Sequence, residues 1–268
     1  MQNELTDLEK QHLVAIFHLN KLCAPGLDTL ALRIAESISE EKQRNFSFLI
    51  LVAYLAAQGN LILAEDVART RLSGYHQATA LASIGFELAS AKSSGAQAYL
   101  KDAESFLDKV FGQDDRATLL HRVSQGYSQL GTWEKAIELA NQIAEPEQRA
   151  STLCEIAENL WKAGEVERLD RALSDIRTSA AETDQRERAN VLNDLAKLLV
   201  QIGRVPEALR AWEEAVTFAD YALESPKLLF SICRNLINVG HKQQAREVAL
   251  LIKNDAGRRE ALSMVAEP

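Results

Sequence analysis

The chain has 268 residues, 47% of them hydrophobic, with only 12 Gly and 5 Pro. It is too apolar for disorder and too poor in turn residues for an all-β fold. A formal net charge of −8 makes a nucleic-acid backbone a poor partner. The imbalance is uneven: residues 204–268 hold nine basic and nine acidic side chains, so the excess acid lies earlier.

In chain order, Thr6-Asp7-Leu8-Glu9 reads as a capping box that starts a helix running to about Ala24. That helix is apolar nearly all round, with Leu13, Val14, Ile16, Phe17, Leu19 and Leu22. No basic stretch followed by an apolar core precedes it, so no secretory signal is expected. The run Phe46-Ser47-Phe48-Leu49-Ile50-Leu51-Val52-Ala53-Tyr54-Leu55-Ala56-Ala57 is too short for a bilayer, which needs about 20 apolar residues. It reads as a buried first helix. Ser90 to Gly95 adds a small-residue loop, and Tyr99, Leu100, Ala103, Phe106 and Leu107 restore helical spacing. Beyond it, Asp114 or Asp115 is a candidate cap, Pro146 suits a first turn, and Thr183 and Asp184 mark another start.

A glycine followed at once by a second helix recurs along the chain. In Gly203-Arg204-Val205-Pro206-Glu207-Ala208, glycine ends one helix and Pro206 opens the next. Five residues after the glycine, Ala208 offers a small surface for a helix crossing. The same grammar appears at Gly26/Ala31, Gly59/Ala64, Gly131/Ala136 and Gly240/Ala245, with Leu169 in the slot after Gly164. Gly26 to Gly59 and Gly131 to Gly164 are each 33 residues, Gly164 to Gly203 is 39 and Gly203 to Gly240 is 37.

A period near ~34 residues with a helix–turn–helix in each unit resembles the tetratricopeptide repeat. So does the first-helix pattern of a large apolar residue, a small slot and a large residue three further on. It stands here as Leu81…Ile84-Gly85…Leu88, Leu120…Val123-Ser124…Tyr127, Leu153…Ile156-Ala157…Leu160, Leu192…Leu195-Ala196…Leu199 and Leu229…Ile232-Cys233…Leu236. Departures are consistent: Leu replaces the family's opening Trp, Ile38, Ile143, Ile176 and Ile252 replace a late alanine, and the closing proline is mostly missing. The resemblance implies an all-α fold, a right-handed α-solenoid of about seven antiparallel helical hairpins in one domain spanning 1–268. The approximate repeats are 7–40, 43–73, 76–111, 115–145, 148–179, 187–221 and 225–253, with a partial unit at 256–268.

An arginine stands eight residues before the slot at Arg44, Arg116, Arg149, Arg188 and Arg258. A cation at a helix start is disfavoured by the dipole, so a carboxylate at the end of the preceding hairpin is expected to hold it. Cys23, Cys154 and Cys233 lie in different repeats, which suits a reducing, cytoplasmic setting and a packing role for Cys233. No nucleotide-binding, hydrolase or metalloprotease motif is present, and the five histidines include no i,i+4 pair. The expectation is therefore a non-enzyme with no catalytic residue, metal or cofactor.

Function is then expected of a surface. The resemblance implies that first helices line a concave groove through the residues three before, one after and four after each slot. By that correspondence the candidate partner-binding residues are Phe86, His121, Gln125, Glu158, Trp161, Asn193, Lys197, Phe230 and Arg234. The reading is a protein–protein interaction scaffold or adaptor holding a peptide or helix; the alternative is a ligand-sensing module of a signalling protein. Neither nucleic acid nor membrane is expected as a partner, and a terminal helix is a candidate for a homo-oligomer contact.

Overall fold

The computed structural model describes residues 28–219 and 225–266. The apolar first helix, its capping box, Gly26 and Cys23 lie outside the described residues.

Within them are α-helices and one 3₁₀ turn, Leu107–Lys109, and no strand. After α1 (Asp28–Ser37) come α2 (Glu41–Ala57) and α3 (Leu61–Thr70), α4 (Gly74–Ser90) and α5 (Ala96–Glu104), and α6 (Gln113–Gln129) and α7 (Trp133–Ala140). Then follow α8 (Pro146–Ala163) and α9 (Val166–Glu182), α10 (Gln185–Gln201) and α11 (Val205–Phe218), α12 (Ser225–Asn238) and α13 (Lys242–Leu250), and α14 (Asp255–Ala266). The chain divides into two compact units, residues 1–139 and 140–268, with the division inside α7.

In the first unit α3 packs on α2 and α5 on α4, while α4 lies between α2 and α6. In the second, α9 packs on α8, α11 on α10 and α13 on α12, and the first helices α8, α10, α12 and α14 each touch the next. The turn chemistry explains the hairpins. Gly164 and Gly203 adopt φ of +76° and +80°, where a side chain would be strained. Their N–H groups reach back to Trp161 O and Val200 O, and the next N–H groups to Leu160 O and Leu199 O. These bonds take up carbonyls that the helix end leaves over. Pro146 and Pro206 stand in the first turn of α8 and α11.

The alanine after the turn is interior in the later hairpins, whereas Ala31 is only half-buried. Ala64, Ala136, Ala208 and Ala245 have no exposed surface, and Leu169 is buried. The slot residue of one helix meets this alanine directly in α12–α13, where the Cys233 thiol donates to Ala245 O at 3.4 Å. Cys233 is thus a packing residue, and burial pushes its thiol up. On α8, Leu153, Ile156 and Leu160 are fully buried, each adding roughly 1.5–3 kcal/mol over an exposed side chain. Ile38, Ile143, Ile176 and Ile252 are buried as well, closing the end of each hairpin with a larger residue.

Polar contacts between side chains also fall about one repeat apart. In the first unit Asn60 donates to Asp28 at 2.9 Å, Tyr99 to Glu65 at 2.8 Å and Arg69 to Asp102 at 2.8 Å. In the second, Asn141 donates to Asp175 at 2.9 Å and Arg204 pairs with Asp170 at 2.5 Å. Arg69 and Tyr99 hold the Glu65 carboxyl below the usual glutamate value. Such exposed pairs are worth only about 0.2–1 kcal/mol each, so they set register more than stability.

The recurring arginines are corrected by the structure. Their main acceptors are backbone carbonyls just before the helix, and carboxylates are secondary. Arg44 donates to Ile38 O at 3.1 Å, Arg116 to Leu107 O, Arg149 to Ile143 O at 3.1 Å and Arg188 to Ala180 O at 2.9 Å. Carbonyls at a helix end carry the negative end of its dipole and lack intrahelical partners, so a guanidinium satisfies both needs. Arg149 additionally reaches Ser179 Oγ at 2.9 Å and the Glu182 carboxylate. Arg258 differs, pairing with Asp255 on its own helix. The caps also shift: α6 begins before Asp114 and Asp115, and Asp184, not Thr183, accepts the Glu187 N–H at 3.1 Å.

Candidate partner-binding groove

In the second unit, α8 and α10 diverge around an open cavity of about 650 Å³. Both helices run in the first position of their hairpins, and the loop before α8 adds Glu145. The α8 wall carries Glu147, Ser151, Cys154, Glu155 and Glu158, spaced so that one helical face points into the space. The α10 wall carries Val191, Asp194, Lys197, Leu198 and Gln201 at the same spacing. Ala150, Val191 and Leu198 are almost wholly buried and make an apolar floor.

The cavity is acidic. Glu145, Glu147, Glu155, Glu158 and Asp194 face it against Lys197 alone, five carboxylates to one ammonium. Lys197 is already held by Asp194 at 2.8 Å, and the Lys162 ammonium stands 3.9 Å from Glu158 at the edge. Burial raises the Glu147 carboxyl, and the neighbouring Glu145, Asp194 and Asp184 raise it further. Glu187 rises for the same reasons, burial first and then Glu147, Asp184 and Glu145. The Cys154 thiol is pushed up to about 12 by burial, with Asp194, Glu158 and Glu155 adding to it. A thiol so held is protonated at neutral pH and is not a nucleophile.

The sequence-predicted residues separate. Glu158 and Lys197 do line one cavity, but they do not pair with each other. Trp161, one turn beyond Glu158 on α8, is 45% exposed and free of the core. Asn193 is a correction: it is 4% exposed, and its Oδ1 accepts the Trp212 indole N–H at 3.2 Å. It is a core partner of α11, because the position three before the slot on α10 turns toward the return helix. Phe230 is half-buried and Arg234 exposed on α12, and neither lines the cavity. Phe86, His121 and Gln125 belong to the first unit and are half-buried on α4 and α6. There the Arg122 guanidinium lies 5.9 Å from the centre of the Phe86 ring.

Fixed offsets missed Ser151, Glu155, Asp194, Leu198 and Gln201. A cavity between two helices takes a different face from each, so no single set of offsets describes both walls. One signal was available. Glu155 and Asp194 both stand two before the slot, where the other first helices carry Ser83, Arg122 and Ser231. Among the described residues no cluster of three or more His, Cys, Asp or Glu is arranged to hold a metal ion. None of the described helices is long and apolar enough to cross a membrane.

No family model and no curated protein matches this chain. Among solved structures, the crystal structure of Ton1535 from Thermococcus onnurineus NA1 is similar at 16% identity, covering 97% of this chain and 82% of that one, with a TM-score of 0.35.

Proposed function

We propose that this chain is a tetratricopeptide-like right-handed α-solenoid that works as a non-enzymatic, cytoplasmic protein-binding scaffold, seating a peptide or helix of its partner between α8 and α10. The observation that carries this reading is the open cavity of about 650 Å³ between two consecutive first helices. Its size falls within the range of ligand sites, and its walls mix an apolar floor with polar rims, as docking surfaces do. Trp161 stands exposed on the same helix, and an accessible tryptophan is a common anchor of binding energy at interfaces. Short helices in grooves are recognised through side chains at helical spacing, and the lining residues of α8 and α10 repeat at that spacing.

The test is a photo-crosslinking amino acid placed at Ser151, inside the groove, and at Arg171, on the exposed surface of α9. A protein adduct at Ser151 that is absent at Arg171 supports the scaffold. A small molecule released on denaturation, with no protein adduct at Ser151, supports the ligand-sensing alternative and overturns the scaffold.

A further inference from the structure

One seam between second helices departs from the others. Polar pairs tie these seams along the chain. Arg69 meets Asp102 at 2.8 Å between α3 and α5, and Lys135 meets Glu104 at 2.8 Å between α5 and α7. Asn141, at the end of α7, donates to Asp175 of α9 at 2.9 Å. Between α9 and α11, Arg204 meets Asp170 at 2.5 Å and Arg177 meets Glu207 at 3.7 Å. No such pair stands at the corresponding positions of α11 and α13, where a cavity of about 310 Å³ opens instead.

The register of the hairpins explains the change. Leu209 stands six residues after Gly203, as Asp170 stands six after Gly164. Val216 stands thirteen after Gly203, the place that Arg177 holds in its own hairpin. Leu251 stands eleven after Gly240, the place of Asp175. Each puts an apolar side chain where a neighbouring seam has one half of a polar bridge, and all three line the cavity. Leu251 is 51% exposed and the adjoining Leu250 is 55% exposed, so this apolar surface meets water. A leucine exposed singly is ordinary, but a group at three bridging positions around a cavity marks a contact surface.

We propose that the α11–α13 seam is the contact of a two-fold homodimer, covered by the same seam of a second copy. The charges beside the apolar strip select that occupant. Glu213 of α11 and Glu247 of α13 line the cavity. Arg210 follows Leu209 directly, Arg246 precedes Glu247, and both are exposed. Each helix thus carries a cation and a carboxylate next to the strip. Such a surface complements itself: across a two-fold contact, leucine and valine meet their like, and each guanidinium can meet a carboxylate. A partner of one charge sign satisfies only half of it. The contact uses second helices and leaves the α8–α10 groove, built from first helices, open in both copies. It goes beyond the scaffold reading and does not depend on it.

The experiment is sedimentation equilibrium of the full chain from micromolar to near-millimolar concentration. A monomer–dimer equilibrium that stops at twice the monomer mass is expected. Leu251→Glu should weaken the dimer at least tenfold. Two charge variants sharpen the test: Arg210→Glu with Arg246→Glu makes the surface wholly acidic, and Glu213→Lys with Glu247→Lys makes it basic. Each alone should lose at least tenfold in self-association, and an equal mixture should recover it as a heterodimer. Circular dichroism confirms that each variant is folded, and recovery on mixing shows that neither surface is damaged. A monomer mass throughout, growth beyond the dimer, a dimer indifferent to these variants, or no recovery on mixing overturns the inference. The Ser151 crosslink decides the scaffold reading separately.

Discussion

The two units solve the same packing problem in opposite ways. In the first, α4 and α6 lie against each other along much of their length; in the second, α8 and α10 touch over a smaller area and leave a cavity between them. The cause is visible in single residues. Gly85 and Gly126 admit Leu100 between α4 and α6, and Leu100 has no exposed surface. A Cβ built on Gly126 would come within 2.4 Å of Leu100 Cδ2, and one on Gly85 within 2.8 Å. Ala82, Ala89 and Ser128 keep the rest of that seam small and buried. At the positions that match Gly85 and Gly126, α8 and α10 carry the larger Ala157 and Leu198, and the cavity between those helices is lined by Glu155, Glu158, Asp194 and Lys197. Glycine at Gly85 and Gly126 lets two first helices close over Leu100, and larger side chains stand at the matching positions of the open seam. One unit thereby becomes core where the other offers a surface.

The contrast is broken most forcefully from its closed side. Gly126→Leu places a side chain where Leu100 already sits and should destabilise by about 3 kcal/mol, at the upper end of overpacking costs. Chemical denaturation measures it, and an unchanged midpoint would show that the α4–α6 seam is not tightly filled. The hairpin crossing gives a related result: Ala208→Leu should cost about 1–3 kcal/mol, since Ala208 is fully buried on α11.

Next in size is Asn193→Ala. It leaves the buried Trp212 indole N–H without its acceptor and should cost about 1–3 kcal/mol. Trp161→Ala, on the open side, should change stability by no more than about 0.5 kcal/mol while weakening a partner by more than about 1 kcal/mol. The reverse pattern, lower stability with binding intact, would return Trp161 to the core.

The helices and their hairpin turns were legible in the sequence because hairpin grammar is local. A glycine that must take positive φ, a proline at a first turn and an alanine at a crossing each leave a one-residue mark, as Gly203, Pro206 and Ala208 do. The arginine series was legible as structural, but its acceptors were not. Backbone carbonyls at a helix end are invisible as residue types, so Ile38, Ile143 and Ala180 could not be named in advance. The groove was half legible. Glu158 and Lys197, named from the repeat offsets, do line the cavity, whereas Trp161 is exposed outside its lining and Asn193 is buried, because only the packing of α11 reveals that Trp212 needs an acceptor.

The smallest effect is a pH dependence. Glu147 titrates above its unfolded value, so the folded chain binds more protons than the unfolded one between those two values. Stability therefore falls as pH rises through that window, and the Glu147 contribution is unfavourable above it. Glu147→Gln should raise stability at neutral pH by up to about 0.5 kcal/mol and flatten that fall. Thermal melts across mildly acidic to neutral pH read the difference; a variant less stable than its parent at neutral pH would mean that Glu147 is compensated.

The central claim is that the open seam, and not the closed one, receives a partner. Amide chemical-shift mapping of the isotope-labelled chain during titration with the partner segment captured at Ser151 tests it most directly. The account predicts saturable shifts along α8 and α10, at Ser151, Cys154, Asp194 and Lys197, with α4 and α6 unmoved around Gly85 and Gly126. Shifts concentrated on α4 and α6, or saturable binding that leaves α8 and α10 unperturbed, would contradict it.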